Sequence, residues 1–148
     1  MQKIFFVIDP DASDNERMAR ILTKAVEGAD VIRVGNAEAA IAEMEARRLV
    51  PSLIFCTLDL PGMSGLEFLA ELRQHRWLER VQVAIVSDDA PDRQVLASYR
   101  LGACAFLTRP IQPHEVREAV RDFGVPAVTT NTGLVAQAEV LRRASHAA

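Results

Sequence analysis

Short unbroken apolar runs alternate with longer stretches in which apolar residues recur every three or four positions. "KIFFVID" near the start is a nearly continuous run of β-favouring residues, as a strand covered on both faces requires. "ASDNERMARILTKAVEG" follows, with Met18, Ile21, Leu22 and Ala25 at helical spacing and Gly28 as a stop. "DVIRVG" predicts a second strand, and "NAEAAIAEMEARRL" a helix with Asn36 as N-cap and Ala40, Ile41 and Met44 on one face. "SLIFCTL" predicts a third strand, then a Pro-Gly loop, then the helix "LEFLAELRQH" with Leu66, Leu69 and Leu72 inward. The fourth strand is "VQVAIVS", followed by a helix with Pro91 in its first turn and Gly102 at its end. "CAFLT" is the fifth, and "PHEVREAVRDF" the last core helix, from Pro113 to the stop at Gly124.

Repeated strand-then-helix units with short connections predict an α/β fold, a doubly wound, five-stranded parallel sheet with helices on both faces. Right-handed crossovers bring every strand's carboxyl end to one edge, where functional side chains converge. That edge should carry Asp9, Pro10 and Asp11, then Thr57 and Asp59, then Ser87, Asp88 and Asp89, and finally Thr108, Arg109 and Pro110. Beyond residue 124 the composition changes: "VPAVTTNTG" reads as a connector, and "LVAQAEVLRRASHAA" resumes a helical pattern with Leu134, Val135, Ala138 and Leu141 on one stripe. The expected organisation is one domain over 1–124, followed by a connector and short helical tail over 125–148, too short for an output domain.

With 148 residues, 49% of them hydrophobic and 25% charged, the chain can bury a full core. A net charge of -3 and scattered Lys and Arg predict no nucleic-acid binding. The apolar run at the start is too short for a secretory leader and no segment reaches membrane-spanning length, so a cytoplasmic protein without a membrane partner is expected. Cys56 and Cys104 lie in apolar strand-like settings without metal-ligand spacing and read as reduced core residues.

The spacing across all five strand ends, with "PSLIFCTLDLPGMSG", the serine after the fourth strand and "GACAFLTRP" around the fifth, resembles the receiver domain of two-component response regulators. The resemblance covers residues 1 to about 124 and implies a flavodoxin-like sheet of order 2-1-3-4-5. It also implies transfer of a phosphoryl group from a histidine kinase to an aspartate, at the position Thr57 occupies. A threonine hydroxyl without an adjacent base is a poor nucleophile, and a phosphothreonine would be a stable ester rather than a self-resetting switch. Of the family's two adjacent acids after the first strand, Asp9 is kept and Pro10 has no side-chain oxygen. Arg109 replaces the family's lysine and suits a fixed bidentate pair with Asp9 or Asp11 better than a mobile contact to phosphate. Ser87 keeps the phosphate-sensing hydroxyl, and Phe106 the switch aromatic without its hydroxyl. The resemblance also implies a cis Arg109-Pro110 peptide.

The expectation is therefore a non-enzymatic pseudo-receiver, phosphorylation-independent, binding a sensor kinase or another signalling protein. No cofactor is expected and no Mg²⁺; Asp9 and Asp11 are the residues a metal would use. The rival is a phosphotransfer receiver in which Asp11 or Asp59 takes over with Mg²⁺. A flavodoxin-like cofactor binder would need a Gly-rich phosphate cradle after the first strand, which is missing. In receivers generally the face of the fourth helix, fifth strand and fifth helix binds partners, and here Tyr99, Arg100, Glu118 and Arg121 make it a candidate homodimer interface. "RQVLASYRLGACAFLT" and "FGVPAVTTNTG" are loosely similar to single-domain regulators associated with bacterial phytochromes.

Overall fold

In the computed structural model, residues 2–129 are described, and the apolar runs become the sheet. Strand β1 (Ile4–Ile8) leads to α1 (Ala12–Ala25), β2 (Asp30–Val34) to α2 (Ala37–Arg47), and a two-residue β3 (Leu49–Val50) precedes β4 (Leu53–Thr57). Then come α3 (Gly65–Gln74), β5 (Val83–Ser87), α4 (Asp92–Arg100), β6 (Ala105–Thr108), α5 (Pro113–Phe123) and β7 (Val128–Thr129). The main sheet is parallel, in the order β2-β1-β4-β5-β6. With the short β3 set aside, this is the expected 2-1-3-4-5.

Strand alternation divides the core in two. Ile4, Phe6 and Ile8 of β1, with Ile54, Cys56, Val83 and Ile85 beside them, pack on Ala40 and Met44 of α2 and Phe68, Leu69 and Leu72 of α3. Phe5 and Val7, with Leu53, Phe55, Ala84 and Val86, pack on Met18 and Leu22 of α1 and Val116 and Ala119 of α5. Every residue of β1, β4 and β5 is buried, whereas β2 and β6 are edge strands with half-exposed positions. Phe68 outranks Leu66 on the inner face of α3: it is fully buried, and Leu66 only packs at the margin.

The helix starts follow from capping side chains. Asp11, Asn36 and Ser64 accept hydrogen bonds from the backbone N–H groups of Asp14, Ala39 and Glu67, at 2.8, 2.7 and 3.1 Å. Pro91, expected inside the first turn of α4, stands one place earlier as N-cap, because its ψ of 152° is extended. The run "NAEAAIAEMEARRL" also ends sooner than its pattern suggests. Arg48 takes a left-handed φ of 50° with its N–H turned back to the Glu45 and Met44 carbonyls, which sends Leu49 into β3.

β3 pairs antiparallel with β7, and the main chain of residues 125–127 lies against the body through Val125 N–H to Ser52 O (3.3 Å) and Ala127 N–H to Gln2 O (3.0 Å). The first residues of the expected connector thus pair with the domain, and the expected tail helix lies outside the described residues. Among the described residues no helix is long and apolar enough to cross a membrane. Cys56 is a buried free thiol and Cys104 a partly buried one.

Gly65 sets how closely α3 approaches the end of β4. A Cβ there would lie 2.8 Å from the Thr57 carbonyl oxygen and 2.9 Å from the Leu58 Cα, both backbone atoms. Gly65→Ala is expected to cost about 1–3 kcal/mol in urea unfolding, from overpacking against atoms that cannot rotate away. A variant as stable as the parent would show that α3 can move back freely.

Candidate functional site

The carboxyl ends of β1, β4, β5 and β6 meet around one guanidinium. Asp9 follows β1, and its N–H donates to the Val34 carbonyl (3.1 Å), continuing the ladder past the strand end. Thr57 is the last residue of β4 and is buried. Ser87 closes β5, and its carbonyl accepts from Arg109 N–H at 2.8 Å, which fixes where the chain turns after β6. The Arg109-Pro110 peptide is cis, as expected.

From there Arg109 reaches back across the strand ends. Its Nη2 donates to Asp9 Oδ2 at 2.7 Å and to Thr57 Oγ1 at 2.9 Å. Its Nε lies 3.5 Å from Asp14 Oδ2, and its Nη1 lies 3.4 Å from Asp88 Oδ1. The Arg109 and Asp9 side chains are 16% and 8% exposed, so their pair is sheltered from water, while Asp88 at 85% adds little. Arg109 therefore does pair with Asp9, but not by the bidentate fork expected: a single nitrogen makes the contact, because it also holds Thr57 while Nε and Nη1 face Asp14 and Asp88.

The remaining acids have other employment. Asp11 is exposed: its Oδ1 caps α1, and its N–H donates to Asp9 Oδ1 at 2.9 Å. Asp59 is exposed and does not line the cleft above Arg109, a space of about 430 Å³ bounded by Asp9, Asp14, Arg17, Thr57, Asp88 and the turn at 109–111. Pro10 borders a shallower recess beside Arg33 instead. Among the described residues no three His, Cys, Asp or Glu side chains gather closely enough to ligate one ion.

Asp14 is a member of the site that the sequence pattern does not single out. Its place three residues after the N-cap Asp11 turns it toward the sheet edge, a consequence of the cap that no acid-pair motif signals. Asn15, one residue on, was missed as well. Its amide donates to the Asp9 and Val34 carbonyls at 3.0 and 2.9 Å and accepts from Arg33 Nε at 2.7 Å, tying α1 to the β1 and β2 ends.

Ser87 is buried and Phe106 half-buried against the α2/α3 core. Tyr99 is exposed, as are Arg100, Glu118 and Arg121, the last paired with Asp122 at 3.1 Å. Burial, with the Asp9 carboxylate adding to it, pushes the Cys56 thiol far up. Cys104 is pushed up to about 11, chiefly by burial. Both stay protonated near neutrality and are poor nucleophiles.

Residues 5–121 match the response regulator receiver domain family, and the chain belongs to that family. It is 34% identical over 104 residues to the transcriptional activator protein ExaE of Pseudomonas putida, covering 70% of this chain and 47% of that one. The response regulator Rcp1 of Synechocystis sp. is 26% identical over 112 residues, covering 72% and 76%. The chain thus spans about half the length of the activator and three quarters of Rcp1. The crystal structure of the phosphorylated cyanobacterial phytochrome response regulator RcpA shares the fold, with a TM-score of 0.74 at 22% identity over 83% of this chain and 94% of that one.

Breaking the sheltered pair should be the costliest change at this edge. Arg109→Met is expected to destabilise by about 3–5 kcal/mol, because it strands the Asp9 carboxylate. Thr57→Val should cost about 1 kcal/mol and Asp88→Asn less than about 0.5 kcal/mol. The Asp9→Asn/Arg109→Met double variant should recover part of the first loss. Urea unfolding of the four proteins gives the order; equal losses for Arg109 and Asp88 would mean the guanidinium is not held at Asp9.

Proposed function

We propose that this receiver domain works as a phosphorylation-independent interaction module in two-component signalling, a pseudo-receiver in whose former phosphorylation pocket the acceptors are taken up by its own arginine. The observation that carries this reading is the bond of Arg109 Nη2 to both Asp9 and Thr57. Phosphoryl transfer to a receiver needs a carboxylate nucleophile and a divalent cation to neutralise the phosphoryl oxygens. Thr57 offers no carboxylate. The cation's place beside Asp9 is filled by a guanidinium that no hydration change can remove, and Pro10 supplies no ligand in compensation.

The residues do not fit Mg²⁺. The substitute acids fare no better in this reading, since Asp11 caps α1 and Asp59 does not line the cleft. A domain so arranged has no phosphate-dependent switch, so its output rests on surfaces: it binds a sensor kinase or another signalling protein in one fixed state. The α4-β6-α5 face supports self-association as well. Ser98 is the only buried residue of α4, while Leu96 and Tyr99 are 54% and 48% exposed on it.

Acetyl phosphate with Mg²⁺ is expected to leave the intact mass unchanged, and a hydroxylamine-labile phosphoryl adduct would overturn the reading. Thr57→Asp alone should stay unphosphorylated. Adding Pro10→Asp and Arg109→Lys should restore labelling more than additively, because the three groups serve one site.

Sedimentation at micromolar concentration tests self-association: a two-fold dimer that weakens at least tenfold in Leu96→Glu/Tyr99→Glu and ignores the phosphodonor is expected. A monomer throughout would leave a heterologous partner for that face.

A further inference from the structure

The cleft above Arg109 has a second lining that its ion pairs leave unused. Beneath the rim its walls are core side chains: Val7 of β1, Phe55 of β4, Val86 of β5, Met18 of α1 and Ile111 past the β6 turn. All five belong to the layer between the sheet and helices α1 and α5, and none is more than 7% exposed. A space of about 430 Å³ thus runs from a charged, exposed mouth to an apolar floor, the size and make-up of a small-molecule site.

The mouth carries both signs. Asp14 and Arg17 stand three residues apart on α1, a spacing that puts Cβ atoms about 5–6 Å from each other on one side of a helix. They are nevertheless not paired with one another: Asp14 Oδ2 lies 3.5 Å from Arg109 Nε, and Arg17 Nη1 donates to the Ile111 carbonyl at 2.7 Å. Arg109 is fully engaged, since Nη2 serves Asp9 and Thr57 and Nη1 faces Asp88. Arg17 has no carboxylate partner among the described residues. Asp14 and Asp88, with side chains 47% and 85% exposed, each meet Arg109 through one oxygen and have the other open to a further donor.

We infer that this cleft binds a free α-amino acid with an apolar side chain. Its ammonium group lies between Asp14 and Asp88, its carboxylate takes the remaining N–H groups of Arg17, and its side chain rests on Met18, Phe55 and Val86. Three features select this class of ligand. Opposite charges one helical turn apart match an amine and a carboxylate carried on one carbon, not the distant ends of a long zwitterion. The floor offers no polar side chain, so it favours an aliphatic or aromatic group over one that would lose its hydrogen bonds there. Inorganic phosphate would meet three carboxylates, Asp9, Asp14 and Asp88, against two arginines, one of them already engaged. A ligand at this position goes beyond the interaction-module reading and does not depend on it.

The test titrates the isotopically labelled full chain with L-phenylalanine. Backbone amide shifts should cluster on residues 14–18, 55–57, 86–88 and 109–111. Phenethylamine, which lacks the carboxylate, hydrocinnamate, which lacks the amine, and glycine, which lacks the side chain, should each bind at least tenfold more weakly. Arg17→Gln should weaken phenylalanine at least tenfold and phenethylamine less than twofold. Asp14→Asn/Asp88→Asn should weaken phenylalanine at least tenfold and hydrocinnamate less than twofold. Arg20→Gln, on the same helix but outside the cleft, should change phenylalanine binding less than twofold. Circular dichroism of each variant confirms folding, and the three analogues on the parent protein keep the test decisive if a variant unfolds.

Binding of any of the three analogues as tight as that of phenylalanine would overturn the inference. So would shifts centred on another face, or no binding at millimolar phenylalanine. The phosphodonor experiment reads a covalent change in mass and this titration reads reversible occupancy, so either reading can fail while the other stands.

Discussion

A parallel sheet covered on both faces leaves its strand ends as the one place where buried polar side chains can meet, and here those ends converge on a single positive charge. Asp9 and Asp14 from the β1–α1 junction, Thr57 at the end of β4 and Asp88 after β5 share the guanidinium of Arg109. The two innermost groups, Asp9 and Thr57, are buried, so each would be costly without a donor. Arg109 satisfies both from one nitrogen, and its own backbone is held to Ser87 of β5. The geometry of the edge therefore depends on this side chain being always charged and always present, which an arginine guarantees and a bound metal ion does not.

Much of this was legible beforehand because it rests on local pattern. Continuous apolar runs gave the three fully buried strands, and Asn36 and Gly124 marked helix ends where the backbone needed them. Spacing put Asp9, Thr57, Ser87 and Arg109 at one edge, and Arg109 does pair with Asp9, through one nitrogen instead of the expected fork. What escaped depended on direction rather than position. Asp14, in the first turn of α1 that Asp11 caps, comes within 3.5 Å of Arg109, and Arg48 breaks its helix through a left-handed φ that nothing in an Ala- and Glu-rich run announces. A basic groove rimmed by α1 and α5 escaped for a different reason: Arg117 lies 93 positions beyond Lys24, and only the packing of α1 beside α5 makes them neighbours.

The choice of threonine at the end of β4 follows from the same edge. An apolar residue would leave Arg109 Nη2 with one acceptor fewer, and an aspartate would set a second buried carboxylate beside Asp9. That adds repulsion which one guanidinium nitrogen would have to offset. A hydroxyl accepts the bond without adding charge, and the β-branch suits an extended backbone. Thr57 and Arg109 are thus matched to each other, and neither is explained as well alone.

Arg17 joins the two charged regions of the molecule. It borders the cleft above Arg109 and also the groove between α1 and α5, and its Nη1 holds the Ile111 carbonyl at 2.7 Å, two residues past Arg109. An anion that drew Arg17 aside would compete with that carbonyl and loosen the turn that aims Arg109 at Asp9. The bond to be broken is one partly exposed hydrogen bond, whereas the Arg109 to Asp9 pair is sheltered and stronger. Anion binding at Arg17 should accordingly stop short of releasing the guanidinium.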